Sequence, residues 1–350
     1  MMLWLLSLMH LLVDGVCAVV MRGQICPLLP ELAAPLILVY NLLAFSTQGL
    51  TGLFADRLRR HRELTLLSAA LILAGLALPA QTPALAVVKT ALAGLGNSLF
   101  HVSGGARVII SSHGKTRPLG IFVAPGALGL TLGILFPQLG GAFAALLCAS
   151  CAALLLLRFD WDSAAPRALP PSFDGEAGGT VRALLCAALL FCVFSRAFGG
   201  SVVSFPWKQG TAAALALTLC VAAGKMLGGT LCDRFGAIPL CSLSVPLAAL
   251  ALAFCPQHML PSLAGQLLLN LSMPVTLRML CLLLPGAPGF AFGLAASCLF
   301  PGTLFACMIP VSGAARTAAI AAVFALNLLL IILSAAYIRR RTKQTQEDAS

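Results

Sequence analysis

The sequence predicts an all-α integral membrane protein with twelve transmembrane helices in two pseudo-symmetric six-helix bundles. Three observations carry this. Hydrophobic residues make up 60% of the 350-residue chain and charged residues 9%, with a mean hydropathy of +0.99, outside the soluble globular range. The apolar residues gather into twelve runs, each near the roughly 20 residues a helix needs to cross a bilayer. A short pattern, G-x-x-x-D-R, closes the second run of each half, at Gly52–Arg57 and again at Gly229–Arg234.

The first run, 3–21, carries His10 and Asp14 in its middle and has no basic segment ahead of it, so it reads as a retained helix rather than a cleaved leader. The second, 34–54, ends in the first pattern, and the third and fourth follow at 63–80 and 84–110. The fourth holds GLGNSLFHVSGG, whose glycines permit close helix contact while Asn97 and His101 share a face at i, i+4. The fifth and sixth, 118–136 and 140–157, complete a first bundle over 1–157. An interval rich in Pro, Gly and Ser, 158–181, then reads as a cytoplasmic linker. The second bundle, 182–338, repeats the plan with runs at 182–204, 211–231, 237–255, 261–284, 288–309 and 315–338, and 339–350 reads as a cytoplasmic tail.

Charge placement sets the expected orientation. Arg57, Arg59, Arg60, Arg62, Lys115, Arg117, Arg158, Arg167, Arg182, Arg234, Arg339, Arg340, Arg341 and Lys343 fall on one side of the alternating runs, against Arg22, Lys208 and Arg316 on the other. The positive-inside rule then puts both termini in the cytoplasm, in a multi-pass protein of the cell membrane. The same placement disposes of the net charge of +11 as a nucleic-acid signal, because no basic stripe is interleaved with aromatics.

Most of the thirteen cysteines lie inside apolar runs, where Cys acts as a small hydrophobe, and the Cys148/Cys151 spacing supports neither redox nor metal chemistry. No metal site is read from the sequence. There is no phosphate-binding G-x-x-x-x-G-K-[ST], no H-E-x-x-H and no G-x-S-x-G, so neither ATP drive nor hydrolytic chemistry has a candidate, and the chain reads as a non-enzyme. No cofactor is expected beyond a proton gradient as energy source. The expected partners are a small-molecule substrate and the lipid bilayer, with the protein a monomer.

Twelve helices in two halves, a central linker and the paired G-x-x-x-D-R patterns resemble the major facilitator superfamily, in which this motif joins helices two and three and helices eight and nine. Three segments, HLLVDG (His10–Gly15), GLGNSLFHVSGG (Gly94–Gly105) and the stretch from Asn270 to Leu294, are similar to the fosmidomycin-resistance-like branch. The superfamily often has an Arg in the fourth helix ahead of a G-x-G, where this chain offers Lys89 out of register. The resemblance implies alternating access in a secondary transporter, with export of a drug-like compound.

Ionisable groups inside a bilayer cost at least ~2.5 kcal/mol each on insertion scales, so each is a candidate for function. Asp14 and His10, one helical turn apart, are the proton-coupling candidates, since burial disfavours the charged form of each and a change of exposure can move a proton. Arg196, in the middle of the seventh run, is the expected counter-charge or anion contact. Asn97, His101, Asn270, Arg278, Asn41 and Gln48 complete the expected substrate cavity. Gly52, Asp56, Arg57 and Arg60, with Gly229, Asp233 and Arg234, form an expected cytoplasmic latch, joined by Arg107 and Lys225 as gate residues. The leading functional expectation is proton-coupled export of a small drug-like or anionic compound. Uptake or exchange of an organic anion, and a transporter-like sensor without flux, are its rivals.

Overall fold

The computed structural model describes residues 1–157, 175–309 and 312–347, and every regular element in them is helical. Twelve helical passes follow one another: α1 (Met2–Leu28), α2 (Pro30–Ser46 and Gln48–Leu58), α3 (His61–Ala77), α4 (Pro83–Ser111), α5 (Arg117–Leu135), α6 (Pro137–Leu156), α7 (Gly175–Val202), α8 (Gly210–Phe235), α9 (Ala237–Phe254), α10 (Met259–Leu283), α11 (Pro288–Met308) and α12 (Gly313–Glu347). Ten are long and apolar enough to cross a membrane, and α2 makes an eleventh when its two pieces, bent by 41°, are taken as one span. The remaining pass, α3, is 17 residues long.

Local chemistry sets the helix ends. Thr82 accepts a hydrogen bond from the Leu85 N–H and Pro83 takes the first position of α4, while Pro288 opens α11 in the same way. Arg59 closes α2 in the left-handed conformation and Gly236 separates α8 from α9 at φ +89°. The C-terminus of α3 is closed from outside. The buried Lys89 of α4 donates its Nζ to the Leu76 and Leu78 carbonyls at 3.1 and 2.5 Å, a cation on the negative end of a helix.

Several boundaries depart from the sequence reading. Helix α1 continues past residue 21 to Leu28, because a π-wound turn over Val19–Ile25 carries it through Arg22 and Gly23 until Leu29 and Pro30 interrupt it. Helix α7 begins at Gly175, inside the interval read as linker, and α12 runs on to Glu347 through the Arg, Lys, Gln and Thr residues read as a tail, which hold no breaker. Residues 158–174, with Arg158 and Arg167, and 348–350 lie outside the described residues.

The two halves pack alike. Within the first, α1 lies along α5 and α3 along α4; within the second, α7 lies along α11 and α9 along α10. Small residues make these seams. Gly129 and Gly133 of α5, a G-x-x-x-G pair, sit on the Leu11 and Gly15 carbonyls of α1, and Gly302 of α11 sits likewise on the Phe194 carbonyl of α7. A side chain at Gly129 has nowhere to go, since its Cβ would overlap backbone. Gly129→Val is expected to cost about 1–3 kcal/mol or more by overpacking. It should appear as a thermal transition several degrees lower in detergent.

Between the halves, α5 packs on α8 and α2 on α11, two crossings related by the internal pseudo-symmetry. Gly120 of α5 faces the Lys225 carbonyl and Gly293 of α11 faces the Gln48 carbonyl. Hydroxyls join the same seams, Thr131 to Thr218 at 2.8 Å and Ser297 to the Gly49 N–H at 3.0 Å.

Candidate functional site

Between the two bundles lies a partly open cavity with about 820 Å³ of empty space. The first half contributes His10, Asp14, Phe45, His101 and the α5 stretch around Gly126; the second contributes Arg196, Lys225, Thr276, Phe292 and an apolar wall that includes Leu299. The walls are mainly apolar, with the ionisable groups gathered on two opposing patches.

The first patch is centred on Asp14. One carboxylate oxygen, Oδ1, accepts a hydrogen bond from Asn97 Nδ2 at 2.9 Å and lies 3.8 Å from His101 Nε2; the other, Oδ2, lies 3.4 Å from His10 Nε2. The backbone fixes both imidazoles. His10 Nδ1 is 2.8 Å from the Phe122 carbonyl and His101 Nδ1 is 2.9 Å from the Asn97 carbonyl. A carbonyl oxygen only accepts, so each Nδ1 must carry the proton of its bond, and each Nε2 is then a lone pair when its ring is neutral. A lone pair facing a carboxylate oxygen is repulsive. The His10–Asp14 contact is therefore favourable only when a proton sits between the two, on the imidazole or on the carboxyl.

Residues that the sequence reading did not single out make this contact possible. Pro125 cannot donate to the Ile121 carbonyl, which loosens α5 at that turn, and the next carbonyl, that of Phe122, is the one His10 uses. Gly126 faces His10 Nε2 and Asp14 Oδ2 so closely that any Cβ there would fall on them. Around the imidazoles Phe100, Phe122 and Phe292 pack at ring-centroid separations of 4.8 to 6.4 Å from His10 or His101. At about 1.5 Å of rise per residue, Phe122 and Phe292 stand roughly 6–8 Å from the starts of α5 and α11, whereas Asp14 stands about 18 Å from the start of α1. By this measure Phe122 and Phe292 lie nearer than Asp14 to the face at which α5 and α11 begin.

The second patch is Arg196 with Lys225. Arg196 is buried and donates from Nη1 to the Thr276 hydroxyl at 3.3 Å. Among the described residues no ion pair joins it to Asp14, so the expected direct counter-charge is not formed and the two face one another across the cavity. Lys225, expected at the gate, lies instead in the cavity wall, within electrostatic range of Asp14, His101 and Arg196. It is drawn there because Gly224 and Gly228 seat α8 directly on the backbone of α10.

His10, Asp14 and His101 place one ligand atom each within 4.8 Å of one another, a donor set a divalent ion would accept. Two cations in the same cavity oppose a bare dication and favour an anion.

Several expected cavity residues lie elsewhere. Asn41 and Asn270 return their amides to carbonyls one turn back, Ile37 and Gln266, at 2.7 and 2.8 Å, the bond a polar side chain makes when its helix face offers no other partner. Gln48 does the same to Ala44 at 2.6 Å while buried in the α2–α11 seam. Arg278 reaches away from the cavity, its Nε donating to the Gly114 carbonyl at 2.7 Å in the α4–α5 connection, because it lies in the last turns of α10. Arg107, expected at the gate, is buried in α4 outside the cavity wall.

The paired motif closes one end of the molecule. Asp56 accepts the Gly289 and Phe290 N–H groups at the start of α11, both at 2.8 Å, and Asp233 accepts the Thr116 and Arg117 N–H groups at the start of α5, at 2.7 and 2.9 Å. Each carboxylate thus caps a helix N-terminus in the opposite bundle. The motif glycine one turn earlier permits the approach: a Cβ at Gly52 would strike Gly289, and one at Gly229 would strike Thr116 and Arg117. The arginines take no part. Arg57 and Arg60 are exposed and Arg234 lies over the Phe235 ring at 5.1 Å, as expected of charges placed for solvent.

This architecture, two six-helix bundles latched across helices two, eleven, five and eight around a cavity between them, is the major facilitator fold. Solved structures with the same fold include the Escherichia coli fucose:proton symporter FucP, described as a major facilitator superfamily transporter (TM-score 0.67, 12% identity, 95% of this chain and 98% of that one). The human organic anion transporter MFSD10 (TETRAN) is similar at TM-score 0.64 and 14% identity, over 94% of this chain and 98% of that one. A bacterial homologue of the iron transporter ferroportin, in an outward-facing state, is similar at TM-score 0.60 and 13% identity, over 98% and 100%. No family model matches the chain, and no curated protein matches it.

Proposed function

We propose that the protein is a secondary active transporter that couples movement of a small anionic or amphipathic compound to protons by alternating access. The observation that carries this reading is the proton-sharing contact of His10 with Asp14 in the wall of a cavity whose other wall holds Arg196 and Lys225. A substrate anion neutralises the second patch, while its apolar body lies against Leu130, Leu277 and Leu299. Reopening on the other side wets Asp14 and releases the proton. The solved structures named above are transporters, which supports this class over an enzyme or a sensor. We assign export, following the resemblance to the fosmidomycin-resistance-like branch, and place the latched face and both termini in the cytoplasm from the distribution of Arg and Lys.

Exchange of organic anions is the second reading, favoured by two cations in the cavity. Both readings are tested in liposomes loaded with a pH dye, to which small organic anions, sugars and amphipathic drugs are added one at a time. Substrate-dependent proton movement supports coupled transport; anion-for-anion counterflow without it supports exchange. Arg196→Ala is expected to weaken binding of anionic substrates by about 10- to 100-fold, the range for one charge-assisted contact, and to leave neutral ones within about twofold. Equal loss for both would remove the charge contact from the mechanism.

A further inference from the structure

A second built cavity lies at the latched face, apart from the transport pathway. A solvent-open groove with about 700 Å³ of empty space runs between the ends of α8, α10 and α12. Its inner wall is apolar, formed by Val275, Met279 and Ile338 among others, and its rim carries Arg278, Arg339 and Lys343, with no carboxylate among the described residues that line it. Helix α12 makes the rim. Its apolar run ends at Ile338, but the helix continues to Glu347, which sets Arg339 and Lys343 one turn apart on one face above the apolar wall. The positive-inside rule accounts for basic residues at this end of α12. It does not account for a cavity in which three of them converge over an apolar wall.

We propose that this cavity binds the headgroup of an anionic phospholipid, its acyl chains lying along the apolar wall, and that the bound lipid braces the closed latch. Charge complementarity selects the occupant: among the described residues three cations face one nearby carboxylate, Asp233, which the Thr116 and Arg117 N–H groups already hold, so the site calls for an anion, and an apolar wall at the end of a membrane-spanning run calls for one attached to hydrocarbon. The link to the latch is direct. Arg278 holds the Gly114 carbonyl at 2.7 Å, and Cys232, also in the lining, accepts the Thr116 hydroxyl at 3.7 Å. Thr116 is the residue whose N–H Asp233 accepts. A headgroup drawn onto Arg278 therefore sits behind the same connection that the latch grips from the front.

The test titrates the purified protein in neutral detergent with phosphatidylglycerol or phosphatidylcholine and counts bound lipid by native mass spectrometry. Phosphatidylglycerol is expected to bind at least tenfold tighter. Arg339→Gln/Lys343→Gln, which keeps Arg340 and Arg341 as topology signals, should erase roughly 30-fold of its affinity, at about fivefold per cation. Spin labels across the latched face should report a larger closed fraction with phosphatidylglycerol, and this response should vanish in the double variant. Equal affinity for the two lipids would overturn the proposal, as would an unaltered affinity in the folded double variant. Soluble glycerol phosphate competing at equal concentration would make this a site for free anions, and a gain in lipid affinity on changing Asp160, Asp162 and Asp174 to Asn would make the linker the occupant. Either result overturns the lipid assignment. A closed fraction indifferent to bound lipid would overturn the bracing.

Discussion

Asp14→Asn is expected to abolish substrate-driven proton movement in liposomes while leaving a folded protein that still exchanges substrate across the membrane. The reason is in the bonds. Asn at this position keeps an oxygen for Asn97 Nδ2, now held by Asp14 Oδ1 at 2.9 Å, and offers His10 Nε2 an N–H in place of the shared proton. The geometry survives, but nothing in the cluster can then be carried between a charged and a neutral carboxyl. Coupled flux should fall to the level of empty liposomes, and counterflow of labelled substrate should stay within a fewfold of the parent. Undiminished uphill transport in this variant would remove Asp14 from the coupling step. Loss of counterflow as well, with the protein folded, would mean that Asp14 binds substrate rather than protons.

How much of this was legible in the sequence can be judged residue by residue. The helices were, because twenty apolar residues in a row have one stable conformation in a bilayer and the hydropathy records it. Their ends were less so. The π-wound turn that carries α1 to Leu28 and the continuation of α12 past Arg339 depend on local winding that composition does not encode. The His10–Asp14 contact followed from i, i+4 spacing. Its union with Asn97 and His101 did not, since 83 residues separate Asn97 from Asp14 and only the packing of α4 beside α1 brings them together. Gly126 was invisible for the same reason, as a glycine among many whose role is to leave room for a pair on another helix.

The residues misplaced in the reading share a cause. Asn41, Asn270 and Arg278 were assigned to the cavity on the principle that polar groups in a membrane need company. A helix supplies company of its own, the carbonyl one turn back for an amide or a connecting loop for a long guanidinium. Lys225 shows the converse. Sequence position put it beside the latch, but the side chain turns into the cavity, because the glycines of α8 seat the adjacent face of that helix on α10.

Opening the latch is the second large effect. Each motif Asp accepts two backbone N–H groups from the other bundle, and hydrogen bonds to a charged group are worth about 1.5–3 kcal/mol net. Asn keeps one acceptor and loses the charge, so each substitution should cost the closed state on the order of 1.5–3 kcal/mol, or about 10- to 150-fold in the conformational equilibrium. The two carboxylates share no partner: Asp56 holds the start of α11 and Asp233 the start of α5. Their effects should therefore nearly add, and Asp56→Asn/Asp233→Asn should convert a mainly closed face into a mainly open one. Gly52→Val reaches the same end by sterics, since a Cβ there cannot coexist with Gly289 at its present distance. Paired spin labels on the α2–α3 and α10–α11 connections read the result as a distance distribution in which the long component grows from one variant to the next. If the arginines rather than the Asp and Gly held this face, Arg57→Gln and Arg234→Gln would shift that distribution and the Asn variants would not. The exposed positions of Arg57 and Arg234 predict the reverse.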